Sequence, residues 1–154
     1  MNFLTPADYG PQIRAEILAL VTDGDTTLLD RAALMAQTEM ESYLRGRFAV
    51  ALVFGAAGPT VGPPATADAR NPQIVMYLVD MALYHLHSRQ NPRNVPQIRQ
   101  DRYDHAIAWL TMVRKGGLSC GLPLESLNLP DGTQDTGSIL PRGGSNPKLR
   151  NSAY

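Results

Sequence analysis

The chain has 154 residues and a formal net charge of zero, with 14 basic and 14 acidic side chains. A chain of this length is expected to form one domain whose core needs neither disulfides nor metal ions. The neutral charge argues against a global attraction to nucleic acid or to an anionic membrane. The single cysteine, Cys120, excludes an internal disulfide.

The sequence gives no sign of export or of membrane insertion. Residues 1–6 lack the basic region and the unbroken apolar core of a signal peptide. No apolar run approaches the roughly 20 residues that a membrane-spanning helix needs. We therefore expect a soluble, cytoplasmic protein that does not bind membranes.

The first predicted elements are short helical segments. Residues 5–8 read TPAD, a capping box with proline at the first helical position, which predicts a helical turn. Residues 12–21 carry apolar side chains at helical spacing and predict a first helix. Thr27 and Asp30 have the spacing of a second capping box, which predicts a helix from there to about Arg45.

A glycine between two arginines is predicted to end this second helix. Gly46 tolerates a positive φ, and Arg45 and Arg47 place cations near the exposed carbonyls of the helix end. The apolar run at 48–54 follows directly and is too short to indicate a helix. It predicts either a short strand or an extended segment packed against helices.

Residues 55–70 are rich in glycine, proline and alanine and predict a long loop. A loop of this length in a compact domain is usually functional or disordered. We therefore expect partner contacts here, with Pro63 and Pro64 among the contacting residues.

Two longer helices are predicted next. Asn71-Pro72 has the asparagine cap and the following proline that start a helix, which should run to about Gln90. Its apolar face is wide, which indicates burial on more than one side and a central position. Asn94 and Pro96 are expected to start the last long helix, and the glycines at 116–117 to end it.

Residues 118–154 differ in character from the rest, with five glycines, four prolines and no apolar periodicity. This composition predicts an extended arm that becomes ordered through contacts with a partner. The predicted fold is mainly α: a compact bundle of about four helices in residues 1–117, with a short strand and the arm. The expected partner-binding residues of the arm are Leu140, Arg142, Lys148, Arg150 and Tyr154.

The sequence contains no recognisable catalytic or metal-binding motif. The acids near Asp23 do not follow the order of a calcium-binding loop. His85 and His87 are two positions apart on a helix and face away from each other, so they do not share a metal ion. Cys120 lies in a glycine-rich exit loop without a nearby base. We therefore expect no cofactor and no enzymatic activity.

Asp80 interrupts the apolar face of the central helix and is the sharpest candidate for a special role. A buried carboxylate needs a partner, and either Arg47 or Arg102 could form a structural ion pair with it. A catalytic acid would normally have a second acid at a workable spacing, which Asp80 lacks. Arg99 and Arg102 share their helix with two aspartates, which favours a solvated face over a phosphate-binding track.

Four stretches of the sequence, taken in order, carry a family resemblance. They read TPADY at 5–9, ExxxYLxGRF at 39–48, DMAxYxL at 80–86 and RYxxAIxWL at 102–110, the last followed by a glycine–leucine exit at 121–122. Over residues 3–122 the chain resembles the head–tail adaptor (connector or neck) proteins of Mu-like tailed phages and prophages. The loop at 55–70 departs from the family by being longer than the expected link.

The resemblance implies a structural virion protein. Such adaptors are mostly helical subunits that form a ring of twelve copies around the DNA channel, between the portal protein and a tail-side neck or terminator protein. It implies a location at the head–tail junction of the virion, and in the host cytoplasm during assembly. It also implies that DNA passes through the ring without sequence-specific binding.

Two other functions remain compatible with the residues. A small helical DNA-binding or regulatory module would bind duplex DNA in a salt-dependent manner. A hydrolase would use Asp80 and a histidine, and would hold Asp80 in a pocket beside His85 or His105.

The arm hypothesis predicts the effect of a truncation. Deleting residues 128–154 should leave a soluble helical monomer, because the predicted helices all lie earlier in the chain. The same deletion should abolish assembly with the portal protein. Circular dichroism and mass photometry with and without the portal measure the two effects, and unchanged assembly would contradict the hypothesis.

Overall fold

The chain folds mainly into helices, as predicted. The computed structural model describes residues 3–60 and 66–125, and the backbone of 127–128 and 134–135. A 3₁₀ helix at Pro6–Tyr9 is followed by α1 (Ala15–Thr22), α2 (Thr26–Leu44), α3 (Val50–Phe54), α4 (Pro72–Gln90) and α5 (Gln97–Lys115). Two short strands, β1 (Leu127–Asn128) and β2 (Gln134–Asp135), pair antiparallel.

Three helices of nineteen residues each, α2, α4 and α5, pack against one another and form the core. Helix α4 packs most extensively against the other two, which confirms its predicted central position. Its buried residues are Ile74, Leu78, Val79, Asp80, Met81, Ala82, Leu83 and Leu86. Burying each large aliphatic side chain contributes about 2 kcal/mol to folding, so this helix carries much of the hydrophobic stabilisation.

Several predicted helix ends are confirmed. The Asn71 side chain accepts hydrogen bonds from the amides of Gln73 and Ile74 and so caps α4. Gly46, just after α2, has a φ of 84°, and Gly116, just after α5, has a φ of 81°. Both lie in the left-handed region, where glycine is favoured because it has no Cβ.

Two predicted helix starts are wrong. The N-cap of α2 is Asp25, whose side chain accepts from the Thr27 amide at 2.8 Å, and Thr27 lies inside the helix. Helix α1 begins at Ala15, because the preceding residues form a turn in which the amides of Gln12 and Ile13 donate to the Tyr9 carbonyl. In both cases the helix exists as predicted and only its first residue differs, since helix ends are less well determined by local sequence than helix interiors.

The strand interpretation of residues 48–54 is also wrong, since most of this run forms α3. The amide of Val53 donates to the Ala49 carbonyl at 3.1 Å, so the helix satisfies its own backbone and needs no neighbouring strand. The Phe54 ring packs edge-on against Phe3, with ring centroids 5.1 Å apart. Only Phe48 keeps a strand-like contact, as an isolated antiparallel bridge with Leu124.

Residues 118–125 return to the helical body. The Ala49 amide donates to the Pro123 carbonyl at 2.9 Å, and the Glu125 amide donates to the Arg47 carbonyl at 3.0 Å. Leu122 is buried in the core. The packed body therefore continues past Gly117, and the remainder of the predicted arm, apart from β1 and β2, lies outside the described residues.

A buried arginine joins the start of the chain to the start of α4. The Arg70 side chain is 1% exposed and donates two hydrogen bonds to Asp8, each at 2.8 Å. It also donates to Asp68 at 2.9 and 2.8 Å, and to the Phe3 carbonyl at 2.7 Å. A buried guanidinium of this kind is stable only because charged and polar acceptors surround it.

Asp8 serves two structural purposes at once. It accepts from the Thr5 amide at 2.6 Å and from the Thr5 hydroxyl at 2.9 Å, within the predicted capping box, which is confirmed. Burial raises the pKa of Asp8, but the hydrogen bonds from Arg70 and Thr5 outweigh it and hold the pKa below its usual value. One carboxylate thus caps the 3₁₀ helix and neutralises the buried arginine.

Replacing Arg70 tests this network. Arg70→Met keeps an unbranched chain but leaves two carboxylates without their cation, so we expect a loss of about 3 kcal/mol in unfolding free energy. Arg93→Met, at an exposed loop position, is the matched control and should change it by less than about 0.5 kcal/mol. Urea unfolding followed by circular dichroism measures both, and equal losses would show that Arg70 has no special structural role.

The depressed pKa of Asp8 predicts a pH dependence. The contribution of a carboxylate whose pKa is lowered by folding is present above its unfolded pKa and is lost as pH falls through its folded pKa. Asp8→Asn should therefore lower stability by about 2 kcal/mol at pH 7, and its difference from wild type should shrink below about pH 4. Asp68→Asn, at the more exposed partner, should cost less. A pH-independent difference in urea titrations would contradict this assignment.

Candidate partner-binding surfaces

Of the two arginines predicted as partners for Asp80, Arg102 is the one that contacts it. The Arg102 Nη1 atom is 3.3 Å from Asp80 Oδ1, joining α5 to α4. Asp80 is buried, with its side chain 7% exposed, whereas that of Arg102 is 42% exposed. Burial raises the pKa of Asp80 above its usual value, although the hydrogen bond from Arg102 acts in the opposite direction. The arrangement neutralises a carboxylate that the core would otherwise leave unpaired.

The alternative pairing of Asp80 with Arg47 is wrong. Arg47 Nη1 donates to the Arg114 carbonyl at 3.3 Å, and its guanidinium lies over the Phe48 ring, 5.5 Å from the centroid. Arg47 thus follows the end of α2 and contacts the last turn of α5, where a cation stabilises exposed helix carbonyls. Asp80 lies in the middle of α4 and faces the earlier half of α5.

Gln12 connects three segments beside this pair. Its carbonyl accepts from Arg99 Nη2 at 3.0 Å, and its Oε1 accepts from Arg102 Nη1 at 3.2 Å. Its side-chain amide donates to the Met76 carbonyl at 3.0 Å. No sequence pattern marks a glutamine that connects three segments, so this role of Gln12 was not predicted. Both arginines of the supposed phosphate track are therefore engaged within the molecule.

A cavity of about 560 Å³ includes Asp80, Arg102 and His105 in its lining. The hydrolase alternative predicts a pocket of this kind, with Asp80 beside His105. The side chain that contacts Asp80 is Arg102, however, and His85 lies elsewhere, 3.1 Å from Glu39. Among the residues that the structure describes, no group of three histidine, cysteine or acidic side chains is placed to hold a metal ion.

Glu39 joins all three long helices through its two carboxylate oxygens. The Tyr103 hydroxyl donates to Oε1 at 2.5 Å, and His85 Nε2 lies 3.1 Å from Oε2. The Tyr84 ring stacks on Tyr103 with centroids 4.1 Å apart. Burial and the hydrogen bond to Glu39 both raise the pKa of the Tyr103 phenol. These hydrogen bonds and stacked rings hold α2, α4 and α5 together.

Large apolar side chains are exposed on several sides of the body. Leu20 on α1 is 68% exposed, Leu52 on α3 is 66% exposed, and Leu34 and Met35 on α2 are each 58% exposed. The last two border an open groove beside Glu39. Exposed apolar groups that cluster along a groove are typical of surfaces that contact other proteins.

A larger groove runs between the end of α2 and α3. Its volume is about 800 Å³. The larger side chains of its lining are Glu41, Arg45, Phe48, Val50, Phe54 and Glu125. It combines an apolar floor with charged rims. It was not predicted because its shape depends on residues 48–54 forming α3 and on Glu125 returning to the body.

The predicted partner-binding residues cannot be placed on these surfaces. Pro63, Pro64, Leu140, Arg142, Lys148, Arg150 and Tyr154 lie outside the described residues. The described part of the 55–70 loop is closed across its base, where the Ala69 amide donates to the Ala57 carbonyl at 3.1 Å. Arg70 at its end is buried and structural.

Residues 4–137 match the sequence model of the family described as "Bacteriophage Mu, Gp36". Because this match covers most of the 154-residue chain, the protein belongs to that family. The phage assignment expected from the resemblance is therefore confirmed. No curated protein and no solved structure matches the chain. Within residues 3–60 and 66–125, no helix combines the length and the apolarity that crossing a bilayer requires.

A double-mutant cycle tests which of the two arginines, Arg102 or Arg47, interacts with Asp80. Because Asp80 and Arg102 are in contact, Asp80→Asn and Arg102→Gln should show a coupling of about 1 kcal/mol in unfolding free energy. Asp80→Asn and Arg47→Gln should be additive within about 0.5 kcal/mol, since they share no partner. Urea unfolding of the single and double variants gives both values. A larger coupling for Arg47 than for Arg102 would contradict the observed pairing.

Proposed function

We propose that the protein is a head–tail adaptor, a structural subunit of a ring between the portal and the tail of a Mu-like phage. The observation that carries this proposal is the family match over residues 4–137. The order of helix-packing motifs that resembles known adaptors supports the finer assignment. The ring is proposed to contain twelve copies and to surround the DNA channel, with the portal on one side and a tail-side neck or terminator protein on the other.

The distribution of exposed apolar side chains supports assembly into a ring. Head-to-tail contacts in a ring need two different complementary surfaces on each subunit. Leu34 borders the groove beside Glu39, and Leu52 borders a separate cavity that includes Leu122 in its lining. Exposed apolar groups are therefore available at more than one place on the surface. A binding protein with a single partner would need only one such surface.

The charge distribution supports a channel without sequence-specific DNA binding. Arg99 and Arg102 donate to Gln12 and Asp80 within the molecule. The same helix exposes Asp101 and Asp104, which would repel phosphates. A DNA-binding module would instead present a continuous row of free cations. We therefore favour the adaptor over the DNA-binding alternative.

A structural role also fits the environment of Asp80 better than catalysis does. Although Asp80 is part of the lining of the 560 Å³ cavity, its side chain is only 7% exposed and accepts a hydrogen bond from Arg102. We propose that the protein is not an enzyme and that this pair joins two helices. Segment 118–154 and the loop at 55–70 remain the proposed contacts with neighbouring proteins in the virion.

Loss of the gene product in its own phage tests the adaptor role. An amber mutation in the gene should give DNA-filled heads and complete tails that do not join, because the connection between them is missing. Electron microscopy of lysates from a non-permissive host shows the particles directly. A plasmid encoding the whole chain should restore virions, while one ending at residue 127 should not. Normal virions, or the absence of filled heads or of tails, would contradict the proposal.

A further inference from the structure

The groove between α2 and α3 lies where the helical body ends. Glu125, the last residue of the continuous described body, is part of its lining. Val50 and Phe54 are only partly buried on the groove floor, although they pack against the core. Covering them would complete the burial of apolar surface that the core leaves accessible.

The described backbone beyond Glu125 forms a short antiparallel pair of strands. Strand β1 is paired antiparallel with β2, and Leu127 lies opposite Asp135. Because paired antiparallel strands run in opposite directions, the chain direction at Asp135 is opposite to that at Leu127. Residues 136–154 follow Asp135, so this segment starts about ten residues after Glu125 of the groove lining.

The charge of this segment complements the groove. The groove rim carries Glu41 and Glu125 against a single arginine, Arg45, for a net charge of −1. Residues 136–154 contain three basic side chains and no acidic one. The first of these, Arg142, follows the apolar residues at 139–141, so the segment offers an apolar anchor beside a cation.

We infer that segment 136–154 of the same chain occupies this groove in the free protein. The apolar residues at 139–141 cover Val50 and Phe54, and Arg142 lies near the two glutamates of the rim. Nineteen extended residues reach about 60 Å, more than enough to cross a groove of this size. The contact would shield the apolar floor of the groove from solvent.

Paramagnetic broadening in nuclear magnetic resonance spectra tests this contact. A nitroxide is attached to Ala51→Cys, at an exposed position lining the groove, in a full-length chain in which Cys120→Ser removes the native thiol. Amide signals of residues 139–145 should lose most of their intensity. The control label, Gln100→Cys, lies about 21 Å along α5 from Arg114, near which the end of α2 packs. It should leave these signals unchanged.

A mixed sample distinguishes the same chain from a second copy. It combines an isotope-labelled chain without nitroxide and an unlabelled chain that carries it. The inference predicts broadening only when both labels are on one chain, at every protein concentration. Broadening in the mixed sample would assign the groove to a neighbouring copy and overturn the inference, as would the absence of broadening in both samples.

Charge reversal tests the ionic part of the contact. Replacing Arg142, Lys148 and Arg150 together by glutamate should largely abolish the broadening from Ala51→Cys. Arg93→Glu, at an exposed loop position outside the segment, should leave it intact. Unchanged broadening in the triple variant would contradict the complementarity on which the inference depends. The portal and the phage are absent from these samples, so the outcome is independent of the adaptor role.

Discussion

The ion pair between Arg70 and Asp8 is the interaction on which the rest of the fold depends. Through it, the buried guanidinium fixes the first turn of the chain beside the residue that precedes α4. That position places Phe3 and Tyr9 in the core and brings Gln12 against α4 and α5. A buried charge is stable only with all of its partners in place. The N-terminal turn, the end of the long loop and the central helix are therefore held as one unit.

The polar side chains inside the bundle act mainly on one another. Arg102 neutralises Asp80, and Glu39 binds both Tyr103 and His85, so each long helix is joined to its neighbours by a buried or half-buried polar contact. Such contacts fix the relative positions of helices that apolar packing alone would allow to slide. Asp80, His85, Arg99 and Arg102, which were candidates for catalysis or phosphate binding, are engaged in this way. Exposed apolar side chains and grooves are the features that we consider for partners.

Local signals predicted the helices well, and long-range contacts were predicted poorly. Asn71 and Gly116 marked helix ends because capping and positive φ depend on one or two residues. Arg70 looked like part of a surface loop, because its partners at the start of the chain are about sixty residues away. Of the two arginines proposed for Asp80, only the three-dimensional packing identified Arg102. Phe48 and its neighbours were ambiguous because a short apolar run fits either a strand or a helix.

Family membership and a helical body held together by internal ion pairs support the central proposal, that this protein connects the phage head to the tail. Cryo-electron microscopy of the head–tail junction in purified virions tests it most directly. The account predicts a ring at the junction, between portal and tail, into which the bundle of α2, α4 and α5 fits as the repeating subunit. A resolved junction whose every ring is formed by other proteins would contradict it.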